Sequence, residues 1–529
     1  MHRSFTARLT APAAVALAVT LLIVGACATP QVGQAGSTDV RIASAEPFTW
    51  DPAQAGDAGT ASVLAQVFEG LTAFDSTGGV EPALAQTWSV SDDGRKIVFQ
   101  LRPGLTYSDG SPIRAQDVVD SWLALLDPAH PSPLASLLAD VTNAAAYLGG
   151  QVGSDAVGLK ATGETTVEVD LDRPAVYFIA ATASPSLSVV PPTEIGRLDQ
   201  SPPDVVSGAY LPDASSGGII HLSGNARYWV GLPTLDQIDL VTDLGGQNAT
   251  DMFTNGDIDY VDIGAGDEAW VKYDPDLGPQ LRSTDGLSVN YYGFTTQIKP
   301  FDDPNVRLAF AEAVDWQHMV SLGGGVPATS MIPVGIAGRD DVNHQPQFKP
   351  DDARALLAAA GYPGGAGLPP ITLATYGVGY EQAVAAELAA NLGVHVTVEA
   401  LDFNGYSEGI EAQTTPQIWT LSWIADYPHP QDFLGLLLQT GSTSNTGHWS
   451  NPDYDALLVQ AAGTADVAVE AQLYGQAQDI LAREAPVVPV SDDRSFALSR
   501  TGLLGALESG VGFIRYAGMA WAPGTGPGQ

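Results

Sequence analysis

Leu9 to Ala26 runs without a single charge, and the only cysteine of the chain, Cys27, follows it directly. Arg3 and Arg8 precede the run, Ala, Val, Leu and Ile dominate it, and Val24-Gly25-Ala26 closes it. A charged start, an apolar middle and a small-residue end describe an export signal over residues 1–26. The run is short for a spanning helix, which needs about 20 apolar residues, and Pro12 interrupts it. The body of the chain is therefore expected to fold outside the cytoplasm. Disulfides are permitted there, but one cysteine cannot form one within its own chain. Apolar cores must hold the body together, and about 490 residues exceed one ordinary core, so two or three domains are expected.

A cysteine directly after Gly25-Ala26 resembles the lipobox of bacterial lipoproteins, in which the thiol after the cleavage site carries a diacylglycerol. That resemblance implies lipid attachment at Cys27 and leaves no cysteine for catalysis or metal binding. Residues 27–39, rich in Gly, Ser, Thr, Pro and Gln, read as a flexible tether. At full stretch about 12 residues reach about 40 Å. No later segment reads as membrane-spanning. The charge-free run Ala175 to Thr193 contains Pro185, Pro191 and Pro192 and reads as buried strands and loop.

The formal net charge is −38, with 22 Lys and Arg against 60 Asp and Glu. Nucleic acid is excluded as a partner, because phosphate neutralisation needs clustered cations. The eight His are scattered without H-E-x-x-H spacing, so no metal or cofactor is expected. Neither a G-x-S-x-G elbow nor a G-x-x-x-x-G-K-[ST] loop occurs. Gly323-Gly324-Gly325 reads as a flexible turn. These absences point away from an enzyme, and a monomer is expected.

Strand-like and helical runs alternate along the body. Val98–Leu101 and Thr166–Leu171 alternate as strands, and Asp117–Leu126 reads as a helix with an acid at its start. Pro350–Ala360, opened by Pro and two Asp and closed by Gly361, is an amphipathic helix. Residues 371–401 read strand–helix–strand, with a helix at Glu381–Asn391. That pattern argues for an α/β fold.

Particular segments carry a family resemblance. Residues 68–72 read F-E-G-L-T, residues 81–85 E-P-A-L-A, and residues 107–122 Y-S-D-G-S-P-I-R-A-Q-D-V-V-D-S-W. Later come N-G-D-I-D at 255–259, P-N-V-R-L-A-F-A-E-A-V-D at 304–315, and I-W-T-L-S-W-I-A-D-Y-P-H-P-Q-D-F-L at 418–434. In this order they resemble the extracellular solute-binding proteins that include the oligopeptide- and dipeptide-binding components of ABC importers, the oligopeptide branch in particular. The resemblance implies an α/β periplasmic-binding-protein clamp of two lobes with an extra third domain, closing about a hinge. The first lobe is placed at 40–80, 200–285 and 492–529, the extra domain at 81–199, and the second lobe at 286–491. It implies a peptide ligand, permease and ATPase subunits as partners, and a membrane position held by the lipid on Cys27. An oligosaccharide, opine or metal chelate is the alternative ligand.

In that branch the Asp of the A-D-Y triplet pairs with the α-ammonium of the ligand. The matching residue is Asp426, which by itself also reads as a turn cap before Pro428 and Pro430. The preceding strand, with Trp419, Ser422 and Trp423, resembles the segment that pairs with an extended peptide; both Trp also read as core residues. Tyr427 is the third residue of the triplet. A second pairing segment follows Asp51-Pro52 and includes Ala58. The arginine that reads the ligand carboxylate in the branch is Thr420 here. Asp109 reads as a turn residue within Ser108-Asp109-Gly110.

Overall fold

The computed structural model describes residues 39–529 except 48, 76–77, 199–200, 214–215, 323–324, 378, 403–404, 407–408, 411–415, 443, 465, 507–510 and 527–529. Cys27, the tether up to residue 38 and two glycines of the 323–325 turn lie outside the described residues.

One mixed sheet of eleven strands runs through most of the body. Its order is Val396–Ala400, Ile371–Thr375, Ile418–Ile424, Leu281–Phe294, Val487–Ser499, Tyr260–Ile263, Val40–Ala43, Gln237–Val241, Ile219–Gly224 and Tyr210–Pro212. The short strand Val326–Pro327 joins beside Val487–Ser499. The two central strands are 14 and 13 residues long. At about 3.4 Å per residue each is long enough to serve both halves of the sheet. Their lower halves pair from Leu281↔Leu498 to Asp285↔Arg494, and Phe496 to Ser499 also pair with Tyr260–Ile263. Their upper halves pair from Val289↔Asp492 to Gly293↔Val487, beside Ile418–Ile424.

Between those halves the ladder breaks. The register shifts between Asp285 and Val289 and again between Asn290 and Tyr291. Such irregularities bend a strand and raise its local twist. Asp493 stitches the break. Its carboxylate accepts from the Ser288 hydroxyl at 2.9 Å and from the Asn290 amide at 2.6 Å.

A separate antiparallel sheet forms from Ala85–Val90, Lys96–Leu101, Thr166–Asp170 and Leu159–Ala161. The helix Ala115–Leu125 covers it, with Trp122 fully buried and its indole N–H donating to the Leu187 carbonyl at 2.8 Å. Asp117 sits in the first turn of that helix and accepts from the Arg114 amide at 2.9 Å. Asp109 accepts from the amide and hydroxyl of Ser111, as a turn residue does.

The charge-free run 175–193 departs from expectation. It is buried, but it forms a helical turn at Phe178–Ala181 and a 3-10 turn at Pro185–Leu187, touching a strand only through the Glu69↔Val189 bridge. Pro185 opens its turn, where its missing N–H costs nothing. Strand–helix–strand over 371–401 is observed as Ile371–Thr375, Glu381–Leu392 and Val396–Ala400, with parallel strands and Gly393 ending the helix at φ +70°. The helix at 350 ends at Ala359, one residue before the expected end.

Candidate ligand-binding cleft

The strand Ile418–Ile424 is asymmetric. One edge pairs along its whole length with Leu281–Phe294, from Phe294↔Ile418 to Ser288↔Ile424. The other edge pairs with Ile371–Thr375 only at Ile418 and Trp419. Next along it, the Tyr406 hydroxyl takes up the Thr420 main chain, accepting from its N–H at 3.0 Å and donating to its C=O. The Tyr376 hydroxyl accepts from the Ser422 main chain. From Ser422 to Ile424 no strand covers this edge among the described residues, and Ile424 is 48% exposed. An uncovered edge offers unpaired N–H and C=O groups to another extended chain.

Ala58 faces this edge. A Cβ built on Gly512 would lie 3.5 Å from the Ala58 Cβ and 3.8 Å from the Ile424 Cγ2, so both residues close in on one side of Gly512. The segment around Ala58, expected to pair with a ligand, is helical for most of its length. Pro52–Gln54 forms a 3-10 turn capped by Asp51, and Ala58 opens the helix Ala58–Val67 capped by Asp57. Each cap accepts from a backbone amide at 2.9 Å, which favours turn and helix over strand. The first amides of that helix have no partner within it.

The placements of the two Trp diverge. Trp423 is half-buried, and its indole N–H donates to Asp432 at 3.0 Å. Trp419 is 2% exposed, stands edge-on to Tyr291, and belongs to the core. Its cross-strand partner explains why. Gly293 lies opposite Trp419, and a Cβ there would fall 2.1 Å from the indole ring, so the ring fills the space that glycine leaves. Tyr427 is also buried, at 5% exposure, and stacks on Tyr177 of the separate sheet domain at 5.9 Å and 4°. It joins two units of the fold and borders the cavity that opens there. Beside it a cavity of about 650 Å³ opens, lined in part by Arg173, Tyr177, Gln431 and Gln439.

Asp426 follows the open edge and keeps partial exposure. Its carboxylate has no hydrogen-bond or ion-pair partner among the described residues, and burial pushes its pKa up to about 6. Beneath it lies Asp432, in the first turn of the helix Pro430–Leu438 and fully buried. One oxygen of Asp432 accepts from the Asp426 amide at 3.1 Å as well as from Trp423. The other has no partner. Burial, and then the Asp426 charge, hold the Asp432 carboxyl well above the usual range. Sequence reasoning missed Asp432, because an acid just after Pro430 reads as an ordinary helix-start residue. Thr420 is fully buried, with its hydroxyl on Thr375 at 3.2 Å.

A buried carboxylate beside a partly exposed one, with no cation, is costly unless a charge or donors complete the pair. The cleft thus combines an uncovered strand edge with an incomplete anionic site at its end. Among the described residues no helix is long and apolar enough to cross a membrane.

Known proteins share this arrangement of elements. The chain is 32% identical to YgiS of Escherichia coli, a periplasmic protein named for deoxycholate binding, over 84% of this chain and 86% of that one. It is 30% identical to the periplasmic oligopeptide-binding protein OppA of Salmonella typhimurium, over 89% and 91%. The solved structure of the Escherichia coli murein tripeptide-binding protein MppA superposes with a TM-score of 0.76 at 28% identity, covering 92% of this chain and 98% of that one. These relatives are named as binding proteins. Residues 79–445 match the family described as bacterial extracellular solute-binding proteins, family 5, middle region. The chain belongs to the family 5 extracellular solute-binding proteins.

Proposed function

We propose that the protein captures extracellular peptides between two lobes and hands them to the permease of an ABC importer, without catalysing a reaction. The uncovered edge at Ser422–Ile424, ending at the uncompensated Asp426, carries this reading. An extended peptide added to that edge gains main-chain hydrogen bonds that ignore its side chains. Its α-ammonium supplies the charge and donors that Asp426 lacks. Lobe 40–80, 200–285 and 492–529, lobe 286–491 and extra domain 81–199 remain our division of the chain. The break in the ladder at Asp285–Val289 supports a hinge there. The relative named for deoxycholate binding suggests a steroid acid as a second reading. Such an acid would meet Asp426 and Asp432 with like charge, which makes it the weaker one.

Small-angle scattering tests the clamp. With a mixture of short peptides the protein should become more compact, and its melting temperature should rise with peptide concentration. An unchanged envelope with a peptide proven to bind would remove the closing mechanism.

We further propose that Cys27 carries a diacylglycerol that holds the protein at the outer face of the cell membrane. One acyl chain gives only marginal attachment and two give a stable one. Cys27→Ser should move the protein from the membrane fraction to the soluble fraction. Retention in the membrane without a lipid label would refute the anchor.

A further inference from the structure

Tyrosine hydroxyls close the free edge of Ile418–Ile424 partway along its length. Thr420 turns both its N–H and its C=O to this edge. The Tyr406 hydroxyl accepts from the first at 3.0 Å and donates to the second. Main-chain groups alternate in direction along a strand. Ser422 and Ile424 therefore face the same way as Thr420, while Trp419, Leu421 and Trp423 turn theirs to Leu281–Phe294. The Tyr376 hydroxyl accepts from the Ser422 N–H. Ile424 thus keeps both of its groups for a ligand, Ser422 at most its carbonyl, and Thr420 neither.

Both tyrosines are held in place. They stand where Ile371–Thr375 stops pairing with the strand, after Leu373↔Ile418 and Ala374↔Trp419. Their rings lie 5.2 Å apart at 52°, and Tyr406 is buried. Tyr376 follows Thr375, whose hydroxyl donates to Glu381 at 2.6 Å and accepts from the Gly377 amide at 2.9 Å. The buried Glu381 opens the helix Glu381–Leu392 and also accepts from the Gly379 amide at 3.1 Å. The turn that carries Tyr376 is therefore tied to that helix. Thr420 is itself fully buried. Pulling Tyr406 away would leave its N–H and C=O without the hydroxyl that serves them both, which is costly in a buried place.

We infer that Tyr406 and Tyr376 end the ligand ladder, so that affinity grows up to the tripeptide and gains nothing from further residues. This rests on the peptide reading and sets the length of the ligand. A peptide with its amino end at Asp426 runs antiparallel to the strand, from Ile424 towards Ser422. Its first residue stands against Ile424 and its third against Ser422, about 7 Å farther on at about 3.4 Å per residue. A fourth and a fifth residue come level with Leu421 and Thr420. There the edge-facing main chain is already held by Tyr406. Such residues must leave the edge, and they add no ladder bonds to it.

The test is a length competition. Equimolar random-sequence pools, one for each length from two to six residues, are offered together to the purified protein, and native mass spectrometry weighs what is retained. A ladder hydrogen bond is worth a few-fold to about tenfold in affinity. Tripeptides should exceed dipeptides by about tenfold, and longer peptides should exceed tripeptides by no more than about twofold. Penta- or hexapeptides retained several-fold above tripeptides would overturn the inference and leave the peptide reading standing. Tyr376→Phe keeps the ring and frees the Ser422 N–H for the third residue, so it should raise the ratio of tripeptides to dipeptides several-fold. A folded variant with the parent ratio overturns the part assigned to Tyr376. Retention of no length would reject the peptide reading, and the inference with it.

Discussion

Asp426→Asn should weaken the binding of free peptides by two to four decades. The site is one carboxylate with no protein partner, lifted on a second, buried carboxylate at Asp432. An ammonium that completes it makes a charge-assisted contact in a poorly solvated place. Removing either side leaves the other unpaired, at roughly 3–5 kcal/mol. Acetylating the peptide N-terminus should cost the wild type about as much. The two changes together should be far from additive, since both break one interaction. Calorimetric titration of the four combinations measures this. Full additivity would mean that Asp426 acts on closure or folding and that the ammonium is read elsewhere.

Acidification from pH 7.5 to 5 should stabilise the unliganded protein. Burial pushes the Asp492 carboxyl up to about 7 and Asp426 up to about 6, against 3.8 for an ordinary Asp. In that window the folded chain holds protons that the unfolded chain has released. Stability therefore falls as pH rises through it, and rises as pH falls. Between pH 7.5 and 5 Asp492 contributes roughly 2–3 kcal/mol and Asp426 roughly 1–2 kcal/mol. Asp93, Asp109 and Asp170 have lowered values, and their loss belongs below the ordinary range of 3.8. Urea unfolding at several pH values checks the sign. Asp492→Asn mimics the protonated group and should flatten the slope. Stability that drops on acidification, or a variant with the parent slope, would contradict the assignment.

Local signals in the sequence reached as far as local physics reaches. The helix ending at Gly393, the turn at Asp109 and the parallel pair around Glu381–Leu392 follow from caps, glycine and apolar spacing within a few residues. The strand holding Ser422 and Trp423 was legible for the same reason. What stayed hidden depends on partners far along the chain. Trp419 looks like a pocket wall until Gly293 is seen opposite it. Tyr427 gives no local sign of the Tyr177 ring that stacks on it from a separate domain. Ala58 was located, but Asp51 and Asp57 turn its segment into helical turns. Asp432 carries no mark in the sequence, because its meaning comes from one buried oxygen that finds no partner among the described residues.

The central claim is that a peptide enters by its free amino end and is held there by Asp426. One calorimetric comparison on the wild-type protein addresses it: a single short peptide proven to bind, titrated with its N-terminus free and with it acetylated. The account predicts that acetylation costs two to four decades in affinity at pH 7.5. Equal binding of the two forms would contradict it.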